Sequence, residues 1–124
     1  MKWPASLVFA LSWSLSLAAD IDVKAQTEIG YLLNQLQHSK CRFGRNGSWY
    51  DADEAVFHID RKYQYLLKRN AIRSTENFIE RAASRSSVSG QPYRVQCGES
   101  AVVESAEWFR AELDMYRRRH ESSR

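Results

Sequence analysis

The sequence lacks a large charge excess of either sign, has only two cysteines, and shows no internal repeat. Its 18 Lys+Arg and 15 Asp+Glu give a formal net charge of +3. A Debye length of about 8 Å at physiological salt screens so small an excess. Beyond Arg117-Arg118-Arg119 there is no basic stripe for nucleic acid, and no nucleic-acid partner is expected. At 124 residues the chain is too short for a dinucleotide-binding domain joined to a substrate domain, or for a (β/α)8 barrel. One domain is expected, and no cofactor. With 44% hydrophobic and 27% charged residues, it fits neither a disordered tail nor a multi-span membrane protein.

The longest apolar stretch, Leu7–Leu17, lies at the start and is broken only by Ser12, Ser14 and Ser16. Lys2 precedes it, and small residues follow at Ser16, Ala18 and Ala19, the pattern of a secretory signal. Residues 1–19 are therefore read as a signal peptide cut after Ala18 or Ala19. The alternative is an uncleaved anchor. At about 1.5 Å per residue, however, the stretch crosses only roughly half of a hydrocarbon core about 30 Å thick. No stable membrane insertion is expected after cleavage. Without Lys2, 17 basic residues (18 less one) face 15 acids, a net +2.

Both cysteines, Cys41 and Cys97, remain in the mature chain. In an exported protein an even count favours a disulfide, here closing a loop worth about 4 kcal/mol in the chain-entropy model. A structural zinc site takes four ligands, and His38, His58 and His120 are scattered without ligand spacing, so no metal is expected.

Ile29, Leu32, Leu33 and Leu36 share one face at the helical period and predict a helix from about Asp22 to Ser39. The period then changes. Cys41–Arg45 and Ser48–Tyr50 flank Asn46-Gly47, the signature of a tight hairpin with positive φ in its turn. Asp51 with Glu54 resembles a capping box and opens a second helix to about Arg69, with Ala55, Ile59 and Tyr63 on its apolar face. Ser74 caps a third helix carrying Phe78 and Ile79, and Ser105 is expected to cap a fourth carrying Phe109 and Leu113. Residues 84–92 form a Ser-rich loop with Gly90 and Pro92 as breakers, and residues 93–97 alternate like a strand. The fold class is α+β, mainly α: about four helices with a small two- to three-stranded antiparallel sheet. Phe43, Trp49, Tyr93 and Val95 are available to pack over the second helix. Residues 20–116 form the globular domain, and residues 117–124 are expected to fray.

The run from Ser39 to Gly47, then Ala55, His58 and Lys62-Tyr63, resembles the YfeK-like family of small exported bacterial proteins. Phe78-Ile79, Ala83-Ser84, Ser86-Ser87, Ser89-Gly90, Pro92-Tyr93 and Cys97 continue the resemblance, which spans about Ile29 to Tyr116. It implies a domain of unknown function and a Gram-negative periplasmic location. It assigns no catalytic or binding residue.

On the second helix, His58, Lys62, Tyr65 and Arg69 fall in a stripe beside the apolar face. Cations with a His and a Tyr suit an anionic group at the edge of a groove. The other reading is a solvated flank whose Lys and Arg stems lie over the core. Arg45 and Asn46 in the hairpin, Ser87 in the loop and Tyr93 complete the candidate ligand or partner contacts. The turn itself accounts for Asn46 and Gly47 without a ligand. The expected function is a non-catalytic binding or interaction domain whose partner is an envelope protein or an anionic small ligand. The alternative is a small envelope hydrolase using His58 with a serine of residues 84–90. That reading needs a carboxylate behind His58, and none is evident in the sequence.

Overall fold

Residues 21–123 are described by the structure, a computed structural model. In chain order the elements are α1 (Val23–His38), β1 (Arg42–Arg45), β2 (Ser48–Tyr50), α2 (Ala52–Leu67), α3 (Thr75–Ala82), β3 (Arg94–Gln96), β4 (Val103–Glu104) and α4 (Ser105–Ser122). Side-chain caps fix the first three helix starts. Asp22 accepts from the Ala25 amide at 2.7 Å, Asp51 from Glu54 at 2.9 Å, and Ser74 from Asn77 at 3.0 Å. Each satisfies an amide that a helix start leaves without a partner, worth about 1 kcal/mol.

The fourth helix begins differently. Ser105 is its first helical residue rather than its cap, because Glu104 still pairs with Arg94 in the sheet. The Ser105 N–H donates to the Tyr93 carbonyl at 2.8 Å, so the chain turns from strand into helix without a capping side chain. Helix α4 also runs to Ser122, through the basic stretch expected to fray. Arg117 holds it there by ion pairs with Glu28 on α1 and Glu76 on α3.

The sheet has four antiparallel strands in the order β2-β1-β3-β4, one more than the alternation revealed. Two residues of β4 are too few to show a period. Asn46 and Gly47 take φ of 49° and 81°, as the hairpin turn requires. That two-residue turn sets Gly44 opposite Trp49 and Phe43 opposite Tyr50. Side chains alternate across a sheet, so Tyr50, not Trp49, shares the face of Phe43. Trp49 instead lies on the outer face over Gly44, where an added Cβ would come within 3.2 Å of the indole.

The inner face carries Phe43 opposite Val95, both buried against the helices. Helix α1 touches α2, α3 and α4, and Ile29, Leu32 and Leu36 supply its share of the core. Phe78 makes edge contacts with Tyr63 and Phe109, joining α2, α3 and α4. One position outside the Arg42–Gln96 pair, Cys41 and Cys97 are bonded, fastening β1 to β3 across 56 positions of sequence. Among the described residues, no helix is long and apolar enough to cross a membrane. The signal-peptide reading of residues 1–19 lies outside the described residues.

Glu28 is the exception in this core, a carboxylate only 2% exposed. Thr75 Oγ1 donates to it at 2.7 Å, and Arg117 donates from Nε at 2.8 Å and from a terminal nitrogen at 3.0 Å. The Arg117 hydrogen bonds hold the Glu28 carboxyl below its usual range despite the opposing effect of burial. Removing the arginine would strand a buried charge. Arg117→Met should therefore destabilise the domain by about 3 kcal/mol at pH 7, read by denaturant unfolding. Adding Glu28→Gln should recover part of that loss, and equal stability of Arg117→Met and the wild type would refute the role given to the pair.

Candidate functional site

Helix α2 turns once every 3.6 residues, so positions 54, 58, 61, 62 and 65 line one flank beside its buried face. Opposite that flank stand Arg45 of β1, the segment around Ser87 and Val88, and Tyr93 just before β3. Between them lies an open groove of about 850 Å³. The far wall is held by hydrogen bonds within residues 84–92. Ser86 N–H donates to the Gln91 carbonyl at 3.0 Å, and Gly90 N–H to the Ser86 carbonyl at 2.9 Å. Asn46 fastens this segment to the hairpin: its Nδ2 donates to Ser86 Oγ at 3.2 Å, and its Oδ1 accepts from Ser89 Oγ at 2.6 Å.

Tyr93 forms the floor. Its ring lies 5.0 Å from Phe43 and 5.9 Å, edge to face, from His58. Its hydroxyl is 3.1 Å from His58 Nε2 and accepts from Lys62 Nζ at 3.4 Å. Lys62 also donates to the Arg85 carbonyl at 2.7 Å. An ammonium has only hydrogens to give, so the tyrosyl oxygen accepts from Lys62, and the tyrosyl hydrogen is free for His58 Nε2 when that nitrogen carries no proton.

The electrostatics agree with a neutral imidazole. Burial, then the positive charges of Arg45, Lys62 and Arg61, hold His58 below the usual histidine value. Burial, then Arg45 and Arg85, likewise hold Lys62 below the usual lysine value. Burial pushes the Tyr93 phenol up against the opposing pull of Arg45. Among the described residues both ion pairs belong to Arg117, so the groove cations Arg45, Arg61 and Lys62 have no carboxylate partner. Lys62 is partly desolvated and repelled by Arg45, so it is placed to gain from an incoming negative charge.

Six of the eight candidate contacts therefore line one groove: Arg45, His58, Lys62, Tyr65, Ser87 and Tyr93. Asn46 is used as a clamp between the hairpin and residues 86–89. Arg69, a full turn beyond Tyr65, lies over the Tyr65 ring at 3.7 Å and does not line the groove. The sequence reading missed Phe57 and Val88, which are 65% and 93% exposed on the two walls, and the acids Asp53 and Glu54 at one end. Phe57 carried a usable signal, being an aromatic off the apolar face of its helix.

The hydrolase alternative finds no assembled machinery. Ser86 Oγ accepts from the Val88 and Ser89 amides and from Asn46. Ser84 Oγ donates to the Ile79 carbonyl at 2.6 Å, and Ser89 Oγ to Asn46. Among the described residues, no serine and no carboxylate is hydrogen bonded to His58, whose partner is Tyr93.

Fold and groove together define a small disulfide-tied α+β domain with a basic recess beside one helix. The chain belongs to a family of unknown function (DUF5329), whose family model matches residues 23–117. It is similar to the uncharacterized protein YfeK of Salmonella typhimurium (strain LT2), with 36% identity over 94 residues, covering 75% of this chain and 77% of that protein. The family resemblance carried by residues 39–47 and their continuation is thus supported along most of the domain. No solved structure matches the chain.

The His58 environment has a measurable consequence. The unfolded chain takes up a proton near pH 6.5, and the folded chain only at a lower pH. Stability from this site is intact above the unfolded value and is lost as pH falls through the folded one. Thermal melts from pH 7 to pH 5 should show a decline that is shallower in His58→Gln. Identical slopes in the two proteins would contradict the assigned environment.

Proposed function

We propose that this protein is a non-catalytic binding domain of the periplasm that takes an anionic group into the groove over Tyr93. The observation that carries the reading is the meeting of Lys62 and His58 on the Tyr93 hydroxyl, beside Arg45, with neither Lys62 nor Arg45 ion-paired to a carboxylate among the described residues. A guanidinium and an ammonium held in partial burial interact with an anion more strongly than exposed ones do. Export is supported by the pattern of Lys2, Leu7–Leu17 and Ala18-Ala19, and by a bonded cysteine pair of the kind that persists in oxidising compartments. Tyr65 and Ser87 on the walls serve as further contacts, and the partner is an anionic small ligand or an envelope protein presenting such a group.

The test is thermal stabilisation by acetate, inorganic phosphate, lipid headgroups and peptidoglycan fragments, each against chloride at matched ionic strength. A ligand at a hundred times its dissociation constant adds about 2.7 kcal/mol, which raises Tm by about 10 °C or more in a domain of this size. At least one of these anions should give such a shift in the wild type, and Lys62→Met and Arg45→Gln should abolish it while remaining folded. No shift with any anion, or an undiminished shift in both variants, would overturn the proposal.

A further inference from the structure

The groove is not uniformly basic. Its charges are laid out in order along α2, with Asp53 and Glu54 at the N-terminal end and Lys62, faced by Arg45, further along. Phe57 lies between them in sequence, and Val88 stands on the opposite wall. The helix start offers no anion site, because Asp51 already accepts the amide there and two more acids follow. A polyanion would thus meet cations at one end and carboxylates at the other.

The number of free donors points the same way. Two of the three Lys62 hydrogens go to the Arg85 carbonyl and the Tyr93 hydroxyl, and that hydroxyl also engages His58 Nε2. What remains over Tyr93 is one ammonium hydrogen and the Arg45 guanidinium, while the exposed Arg61 lies over the Phe57 ring, 5.7 Å from its centre. That set matches one carboxylate, which a guanidinium can take through both oxygens. A dianionic phosphate is usually held by more donors and by a helix N-terminus or a nest of amides.

Resting on the binding reading above, we infer that the occupant is the C-terminal end of a polypeptide, its terminal carboxylate on Arg45 and Lys62. Its last side chain is apolar and covers Phe57 and Val88. A basic residue upstream meets Asp53 and Glu54. Eight residues of helix separate Glu54 from Lys62, about 12 Å along the axis. An extended peptide at about 3.3 Å per residue spans that with three or four residues. The basic residue therefore stands three or four positions before the terminus. A long acyl chain fits less well, because the groove is open and would leave most of the chain in water.

Fluorescence anisotropy with an N-terminally labelled Lys-Ala-Ala-Phe peptide bearing a free carboxylate tests this. The free acid should bind at least tenfold more tightly than its C-terminal amide, and Lys62→Met should erase that difference. Replacing the peptide lysine by glutamate should weaken binding about tenfold in the wild type but not in Asp53→Asn/Glu54→Gln. Equal binding of acid and amide, or a glutamate penalty that persists in that double variant, would overturn the inference. Should acetate or phosphate stabilise the protein through Lys62 while the peptide acid fails to bind, the peptide assignment falls and the anion site stands. If neither the small anions nor the peptide binds, both fall.

Discussion

Tyr93 is the residue on which this domain and its groove both depend. Its backbone N–H donates to the Ser84 carbonyl at 2.9 Å, and its own carbonyl accepts from Ser105 at the start of α4. Its ring packs on Phe43 in the sheet, and its hydroxyl takes partners from two successive turns of α2. One residue, through its backbone and its side chain, therefore fixes where the sheet meets α2, where residues 84–92 close, and where the last helix begins. The groove floor is the polar end of a core residue. A buried phenol needs a partner for its hydroxyl, and here that need orders a histidine and a lysine.

Two fastenings keep the surroundings of Tyr93 in register. The Cys41–Cys97 bond ties the strand that carries Arg45 to the strand that follows Tyr93, and the Glu28–Arg117 pair with Thr75 ties α1, α3 and α4 together behind them. Phe43, Val95 and Phe109 fill the space between with apolar contacts, which are strong but non-directional. The directional bonds at either end set the geometry that the apolar contacts alone would leave loose. With its walls held in this way, the groove can keep cations apart from their counter-ions.

Local signals in the sequence were sufficient wherever a physical rule acts over a few residues. Asp51 and Ser74 announce helix starts because a cap works at a spacing of three, and Asn46-Gly47 announces its turn because few residues accept positive φ. Ser105 misled for the opposite reason: its amide is committed to Tyr93, twelve positions away, and only the tertiary fold makes that bond. Arg117 looked like part of a frayed tail because its partners lie on α1 and α3. The candidate site divided along the same line. His58, Lys62 and Tyr65 were legible from one helix face, and Asp53, Glu54 and Phe57 stand on the same helix, whereas Val88 joins them only through the approach of residues 84–92 to α2. Arg69 shows the limit of periodicity, since the right face of a helix extends past the end of a groove.

The central claim is that the cations over Tyr93, Lys62 and Arg45, stand without a carboxylate partner until an anion enters the groove. The most direct measurement is the protonation of His58 followed by imidazole NMR, in the free protein and with the carboxylate peptide at saturation. The account predicts a pKa below the ordinary histidine value in the free protein, with a clear upward displacement when the peptide carboxylate arrives. An ordinary histidine titration in the free protein that does not respond to the peptide would contradict it.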